Sequence, residues 1–191
     1  MVLAILLSLS LMATGCSAQW ISVALADLPA LTQMALNIGT ILTTLEAGQQ
    51  INSTEAAAVQ SISAQASKDL NLLATLYNEY KANPSVSTLQ KIQGVIADIN
   101  QSLPVLLQAA HLSDPVLSAR VAAGVNLILT TVASFASLMP QTSTQIAAQK
   151  VTSPQVAIPK VSELKKQWNQ QVCGPTSNPA LDFNAAGCKV R

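Results

Sequence analysis

Two of the three cysteines of this chain lie close together near its C-terminus, and they are the residues best suited to covalent chemistry. Cys173 and Cys188 form an even pair around a turn-rich segment, and such a pair oxidises readily in an exported protein. Closing a loop of about fifteen residues would stabilise the fold by roughly 3 kcal/mol. We therefore predict a Cys173–Cys188 disulfide. The alternatives are two free thiols or a metal site, which this spacing does not favour.

The only histidine, His111, lies at the predicted end of a helix, where a cation suits the helix dipole. No Ser, Cys or Asp motif surrounds it as a catalytic triad requires. The sequence also has no glycine-rich phosphate loop, no CxxCH haem motif and no Glu-x-x-His pair of a di-metal bundle. We therefore predict that the protein is not an enzyme and that it binds no cofactor and no metal.

The composition favours one helical domain of low charge. Half of the 191 residues are apolar, 10% are charged and 3% are aromatic, so Ala, Leu, Val and Ile must form the core. Residues 20–140 carry seven acidic and four basic side chains, whereas residues 141–191 carry two and six. The basic residues are few and lack aromatic neighbours, which argues against nucleic acid. A solvated tail surface is our interpretation of this charge, and weak contact with an anionic membrane is the alternative.

The third cysteine, Cys16, ends an apolar N-terminal stretch. Residues 2–12 carry no charge, and they are too few to span a membrane but suit the apolar core of a signal peptide. The following Ala13-Thr14-Gly15-Cys16 resembles the lipobox of bacterial lipoproteins. The alternative is a buried N-terminal helix with an incidental cysteine. No Lys or Arg precedes the apolar run, so we expect the natural start to lie upstream of Met1.

The resemblance implies that residues 1–15 are removed and that acyl chains, palmitate among them, are attached to Cys16. Several acyl chains on one residue would supply the lipid signals that stable anchoring requires. The protein would then be exported and anchored to a bacterial membrane, on its periplasmic face or at the cell surface.

Four apolar stripes at helical spacing predict helices near residues 20–46, 53–82, 85–111 and 114–139. Asn52 with Glu55 resembles a capping box, and Asp114-Pro115 is typical of a helix start. Because the connections are short, neighbouring helices should be antiparallel. Residues 16–140 are thus predicted to form an all-α, antiparallel, up-and-down four-helix bundle.

Two prolines interrupt these stripes, so the first and third helices are expected to kink or to restart there. Asp27 could cap a restart before Pro29, and Ser102 could do so before Pro104. In the fourth helix, residues 121–139 carry no charge, which makes a membrane span an alternative. We favour a bundle helix because weakly polar residues share one of its faces, namely Asn126, Thr130, Ser134 and Ser137.

The C-terminal part, residues 141–191, is predicted to be an irregular tail. Residues 141–159 are rich in Gln, Ser, Thr and Pro, which indicates a linker or a strap. A short amphipathic helix should follow, with an apolar face made of Val161, Leu164, Trp168 and Val172. The disulfide would close the end of the chain.

Three functional hypotheses fit these features. The first is a non-enzymatic, membrane-anchored envelope lipoprotein that acts as a structural or interaction module with an unknown envelope protein. The second is a carrier that holds a small apolar ligand between the kinked helices. The third is a multi-span membrane protein.

Overall fold

The computed structural model describes residues 19–47, 52–139, 160–175 and 188–190. These ranges hold five helices and no strand, which confirms the predicted all-α class. The helices are α1 (Gln19–Ala47), α2 (Ser53–Ala82), α3 (Val86–Ala109), α4 (Pro115–Leu138) and α5 (Val161–Gln171). The predicted signal peptide, Cys16 and most of the predicted strap lie outside the described residues.

The helices begin where the sequence provides caps. At the start of α2, the Asn52 side chain accepts from the Glu55 backbone N–H at 2.9 Å, and the Glu55 carboxylate accepts from the Asn52 N–H at 3.3 Å. Before α4, the Asp114 carboxylate accepts from two backbone N–H groups of the first turn, both at 2.8 Å. These bonds satisfy donors that have no partner inside a helix. The capping box and the Asp114-Pro115 start are thus confirmed.

Helices α1 to α4 form the predicted bundle. Each packs against the next along the chain, and α4 returns to pack against α1. The predicted stripes of all four helices supply the core, and their central residues are fully buried, among them Leu31, Met34, Ile62, Leu73, Ile92, Ile99, Val125 and Ile128. The short helix α5 lies across α1 and α4 as a fifth element.

Of the two outcomes predicted at the prolines of α1 and α3, a kink or a restart, the restart is wrong. Helix α1 continues through Pro29, and α3 continues through Pro104. A proline inside a helix costs about 3 kcal/mol. Buried residues on both sides of each proline, such as Leu28 and Leu31 around Pro29, offset that cost through packing. Asp27 is therefore an interior residue of α1 and does not cap it.

The end of α3 comes two residues earlier than predicted. Ala109 is its last residue, Ala110 is the C-cap, and His111 follows with a φ of 42°. This left-handed conformation commonly ends a helix, and histidine adopts it more readily than most residues with a Cβ. His111 thus terminates α3 through its backbone.

Two glycines let helices approach closely. A Cβ on Gly39 would lie 2.8 Å from the Ser63 hydroxyl of α2, and one on Gly124 would lie 3.0 Å from the Trp168 ring of α5. Ser63 uses the close approach to donate to the Ala35 carbonyl at 2.7 Å. Small residues at these two positions therefore set the spacing of α1 with α2 and of α4 with α5.

The disulfide between Cys173 and Cys188 is present, with Cα atoms 5.8 Å apart, and both cysteines are buried. The Cys188 carbonyl accepts two hydrogen bonds, from the Asn37 amide of α1 at 2.8 Å and from the Trp168 indole of α5 at 3.0 Å. Asn169 and Val190 also exchange two hydrogen bonds between side chain and backbone. The end of the chain is thereby attached to the bundle covalently and by hydrogen bonds.

Two helical stretches are long and apolar enough to cross a membrane by length and composition alone, Trp20–Ile41 and Pro115–Leu138. About half of each stretch is buried inside the protein, 56% and 50% respectively. The core helices of a compact bundle have the same properties, so length and composition do not separate the two cases.

Candidate functional sites

Among the residues described, the structure joins only two of the predicted site residues. Cys173 and Cys188 are bonded to each other, and Cys16 lies outside the described ranges. His111 is exposed at the end of α3. Within the described ranges, no group of three or more His, Cys, Asp or Glu side chains is arranged to hold a metal ion.

Asp27 is a buried carboxyl group that the sequence analysis placed at a helix cap. Its side chain lies inside the bundle, 2% exposed, and Oδ2 has no hydrogen-bond partner. Burial removes water from the carboxylate and raises the pKa of Asp27 from its ordinary value of 3.8 to about 6. Asp27 is therefore the described acid with the largest cost of ionisation near neutral pH.

Because of the raised pKa of Asp27, we predict that the folded protein becomes less stable as the pH rises. The folded protein holds this proton up to about pH 6, whereas the unfolded chain releases it near 3.8, so stability is lost as the pH rises through that window. We expect Asp27→Asn to remove this slope and to raise the free energy of unfolding at neutral pH by about 1–3 kcal/mol. Urea denaturation from pH 4 to pH 7 measures both effects.

The control for this prediction is Glu55, whose environment has the opposite effect. Hydrogen bonds from the Ser113 hydroxyl and backbone N–H lower the pKa of Glu55, so its contribution is lost only as the pH falls below the ordinary value of 4.5. Glu55→Gln should therefore leave the slope above pH 5 intact. A wild-type stability that rises from pH 5 to pH 7, above the range of Glu55, would contradict the role of Asp27.

A groove of about 380 Å³ runs between the outer faces of α1 and α2. Its apolar lining residues are Leu25, Leu28, Pro29, Leu36 and Ala74. Its polar lining residues are Thr32, Gln33, Asn71 and Asn78. Leu36 is 48% exposed at this groove although it is a large apolar side chain. None of these nine lining residues carries a charge. The size and the mixed lining are typical of a site for a small molecule.

Pro29 gives this groove a backbone acceptor. A proline has no N–H, so the Leu25 carbonyl one turn earlier lacks its usual helical donor, and both residues line the groove. The Asn78 amide donates to the Ala74 carbonyl at 3.0 Å, and the Gln33 amide donates to Asn37 at 2.9 Å. The oxygens of these two amides accept no hydrogen bond from the described chain. The groove thus offers acceptors beside its donors, which include the Thr32 hydroxyl and the Asn71 amide.

Two further grooves adjoin α4 and α5. The larger has a volume of about 480 Å³ and the smaller about 360 Å³, and they share Ala119 and Gln171. Alanines and residues with side-chain amides form half of their lining. Their one charged lining residue among those described is Arg120, which donates to the Gly174 carbonyl at the end of α5.

No family model, no curated protein and no solved structure matches this chain.

The sequence analysis did not find the groove at Pro29. It placed a ligand between the kinked helices but named no lining residue, because helical periodicity identifies the buried face of a helix and not the edge where two helices meet. One signal was available, since Asn71 and Asn78 lie seven residues apart and so share one edge of α2.

Proposed function

We propose that this protein is a non-enzymatic, membrane-anchored lipoprotein of the bacterial envelope that acts as an interaction module. The observation that carries the proposal is the Cys173–Cys188 disulfide, which is buried and attached to α1 and α5 through the Cys188 carbonyl. Disulfides persist outside the reducing cytoplasm, so this bond supports export. The four-helix bundle supplies a rigid body for protein contacts.

The apolar run that ends in Ala13-Thr14-Gly15-Cys16 supplies the proposed anchor. Helix α1 begins at Gln19, three residues after Cys16, so the anchor would hold the bundle close to the membrane surface. A partner would then be another envelope component within reach of that surface. The proposal includes no nucleic acid and no cofactor.

Cys16→Ala should leave the protein without acyl chains. We expect alkyne fatty-acid labelling of the wild type in bacterial cells and none of the variant, because the Cys16 thiol is the proposed attachment point. Ser17→Ala, expressed in the same way, serves as the control that keeps the thiol. Equal labelling of the wild type and Cys16→Ala would refute the anchor.

A carrier is the second candidate function, and the groove at Pro29 favours it. The groove lies at the surface, where a ligand could enter without unfolding the core, and Leu36 is exposed beside it. Co-purification of a small molecule with the delipidated protein, detected by native mass spectrometry, separates a carrier from a module that only binds proteins.

A multi-span membrane protein is the third candidate, and it concerns α1 and α4. The buried packing of both helices against their neighbours supports the first candidate over this one. The solubility of the Cys16→Ala protein decides between them, because a protein that spans the membrane stays insoluble without its acyl chains.

A further inference from the structure

We propose that the groove between α1 and α2 binds a small, uncharged amphiphile whose head group donates a hydrogen bond to the Leu25 carbonyl. This inference rests on the second candidate function, the carrier, and it adds the site and the ligand chemistry. It is independent of the membrane anchor at Cys16.

The head group follows from Pro29. The missing N–H of Pro29 leaves the Leu25 carbonyl without its helical donor, and an unmade hydrogen bond at a partly buried acceptor is costly. The side-chain oxygens of Gln33 and Asn78 in the same groove accept nothing from the described chain. The Thr32 hydroxyl and the Asn71 amide of the lining can donate to a hydroxyl or to an ether oxygen alike. Only a hydroxyl or an amide N–H on the ligand can in addition donate to the acceptors.

We infer that the ligand carries no charge from the residues that line the groove. The nine described residues around the groove include no Asp, Glu, Lys or Arg. A carboxylate or an ammonium group would lose water on entering the groove without gaining an opposite charge, which is unfavourable. A neutral head group avoids this cost.

The shape of the ligand's apolar part is inferred from the direction of the groove. From Leu25 to Leu36 its α1 side extends for about 16 Å at the usual helical rise, and Ala74 lines its α2 side. A linear hydrocarbon chain lying along α1 would cover Leu36, which is otherwise 48% exposed. Burying apolar surface in this way supplies most of the affinity.

Four probes that share a chain of ten carbons test the head group: decanol, decyl methyl ether, decanoate and decyltrimethylammonium. Isothermal titration calorimetry measures their binding to the chain from Ser17 onward with its disulfide intact. We expect decanol to bind about tenfold more tightly than the ether, which has the same chain but no donor. Both charged probes should bind more weakly than decanol. Equal binding of decanol and the ether would overturn the head-group assignment but leave a carrier in place.

Pro29→Ala tests the acceptor directly, because alanine restores the N–H that donates to the Leu25 carbonyl. In Pro29→Ala, decanol and the ether should therefore bind with about equal affinity. Pro104→Ala is the matched control, since it makes the same change in α3 away from the groove, and it should keep the preference. An unchanged preference in Pro29→Ala refutes the assigned acceptor.

Ala74→Leu tests the place of binding. The larger side chain fills the groove and should weaken decanol binding about tenfold or more. Ala57→Leu, at an exposed position of α2 outside the groove, is its control. If all four probes fail to bind the wild type, the carrier function falls together with this inference, while the acylation test of Cys16 still decides the lipoprotein proposal.

Discussion

Trp168→Ala should destabilise the protein by about 3–5 kcal/mol, the usual cost of removing a fully buried large aromatic side chain. The Trp168 side chain is 0% exposed, its ring packs against Gly124, and its indole N–H donates to the Cys188 carbonyl. The substitution therefore leaves a cavity between α4 and α5 and removes one attachment of the tail. Guanidinium denaturation followed by circular dichroism measures the loss.

Two further variants separate the causes of this loss. Trp168→Phe keeps most of the ring but removes the N–H, and the loss of that hydrogen bond should cost about 1 kcal/mol beyond the smaller volume. Gln170→Ala changes an exposed residue of the same helix and should stay within about 0.5 kcal/mol. If Trp168→Ala costs no more than Gln170→Ala, α5 does not pack on the bundle as described.

Leu73→Ala should cost about 2–5 kcal/mol, because Leu73 is completely buried in the core of the bundle. Its neighbour Leu72 provides a matched control. Leu72 is 45% exposed in the same helix, so Leu72→Ala makes the same chemical change with an expected cost of about 0.5 kcal/mol. Chemical denaturation of the chain from Ser17 onward compares the two.

Gln65 is a second control from the same helix. It lies outside the apolar stripe and is half-buried, and its amide donates to both oxygens of Asp69 at 2.8–2.9 Å. Because Asp69 is only 6% exposed and loses this donor, Gln65→Ala should cost about 1–2 kcal/mol, which is still less than Leu73→Ala. Equal losses for Leu73→Ala and Gln65→Ala would mean that the faces of α2 are assigned wrongly.

The sequence predicted the helices well because local signals define their ends. The predicted range of α2, residues 53–82, matches Ser53–Ala82, and Asn52 with Glu55 supplies the reason. Asp114-Pro115 likewise places the start of α4. Caps depend on residues three or four apart, which is the range over which a sequence can be interpreted without a structure.

The environment of the polar side chains was harder to predict, because it depends on neighbouring helices. Asp69 is 6% exposed although it carries a charge, and Tyr77 is 0% exposed although it carries a polar hydroxyl. Tyr77 packs edge-on against Trp20 and Phe135, with ring centroids 5.5 and 6.3 Å away. Those partners come from α1 and α4, and helical periodicity carries no information about which residues meet.

The groove at Pro29 was missed for a related reason. Pro29 was interpreted as a possible break, and a break would have ended α1 at the position where the groove forms. The tolerance of α1 for this proline comes from the packing of Leu28 and Leu31 on either side, which is a tertiary effect. The Leu25 carbonyl lacks its usual donor only because the helix continues through Pro29.

The Cys188 carbonyl also sets an order of events during folding. It accepts from Asn37, 151 positions earlier in the chain, so this contact cannot form until nearly the whole polypeptide has emerged. Contacts between successive helices span far shorter separations and form sooner. We therefore expect the bundle to assemble first, while the face of α1 that carries Asn37 is still exposed to solvent. The disulfide-linked end of the chain then docks onto that face as the last step.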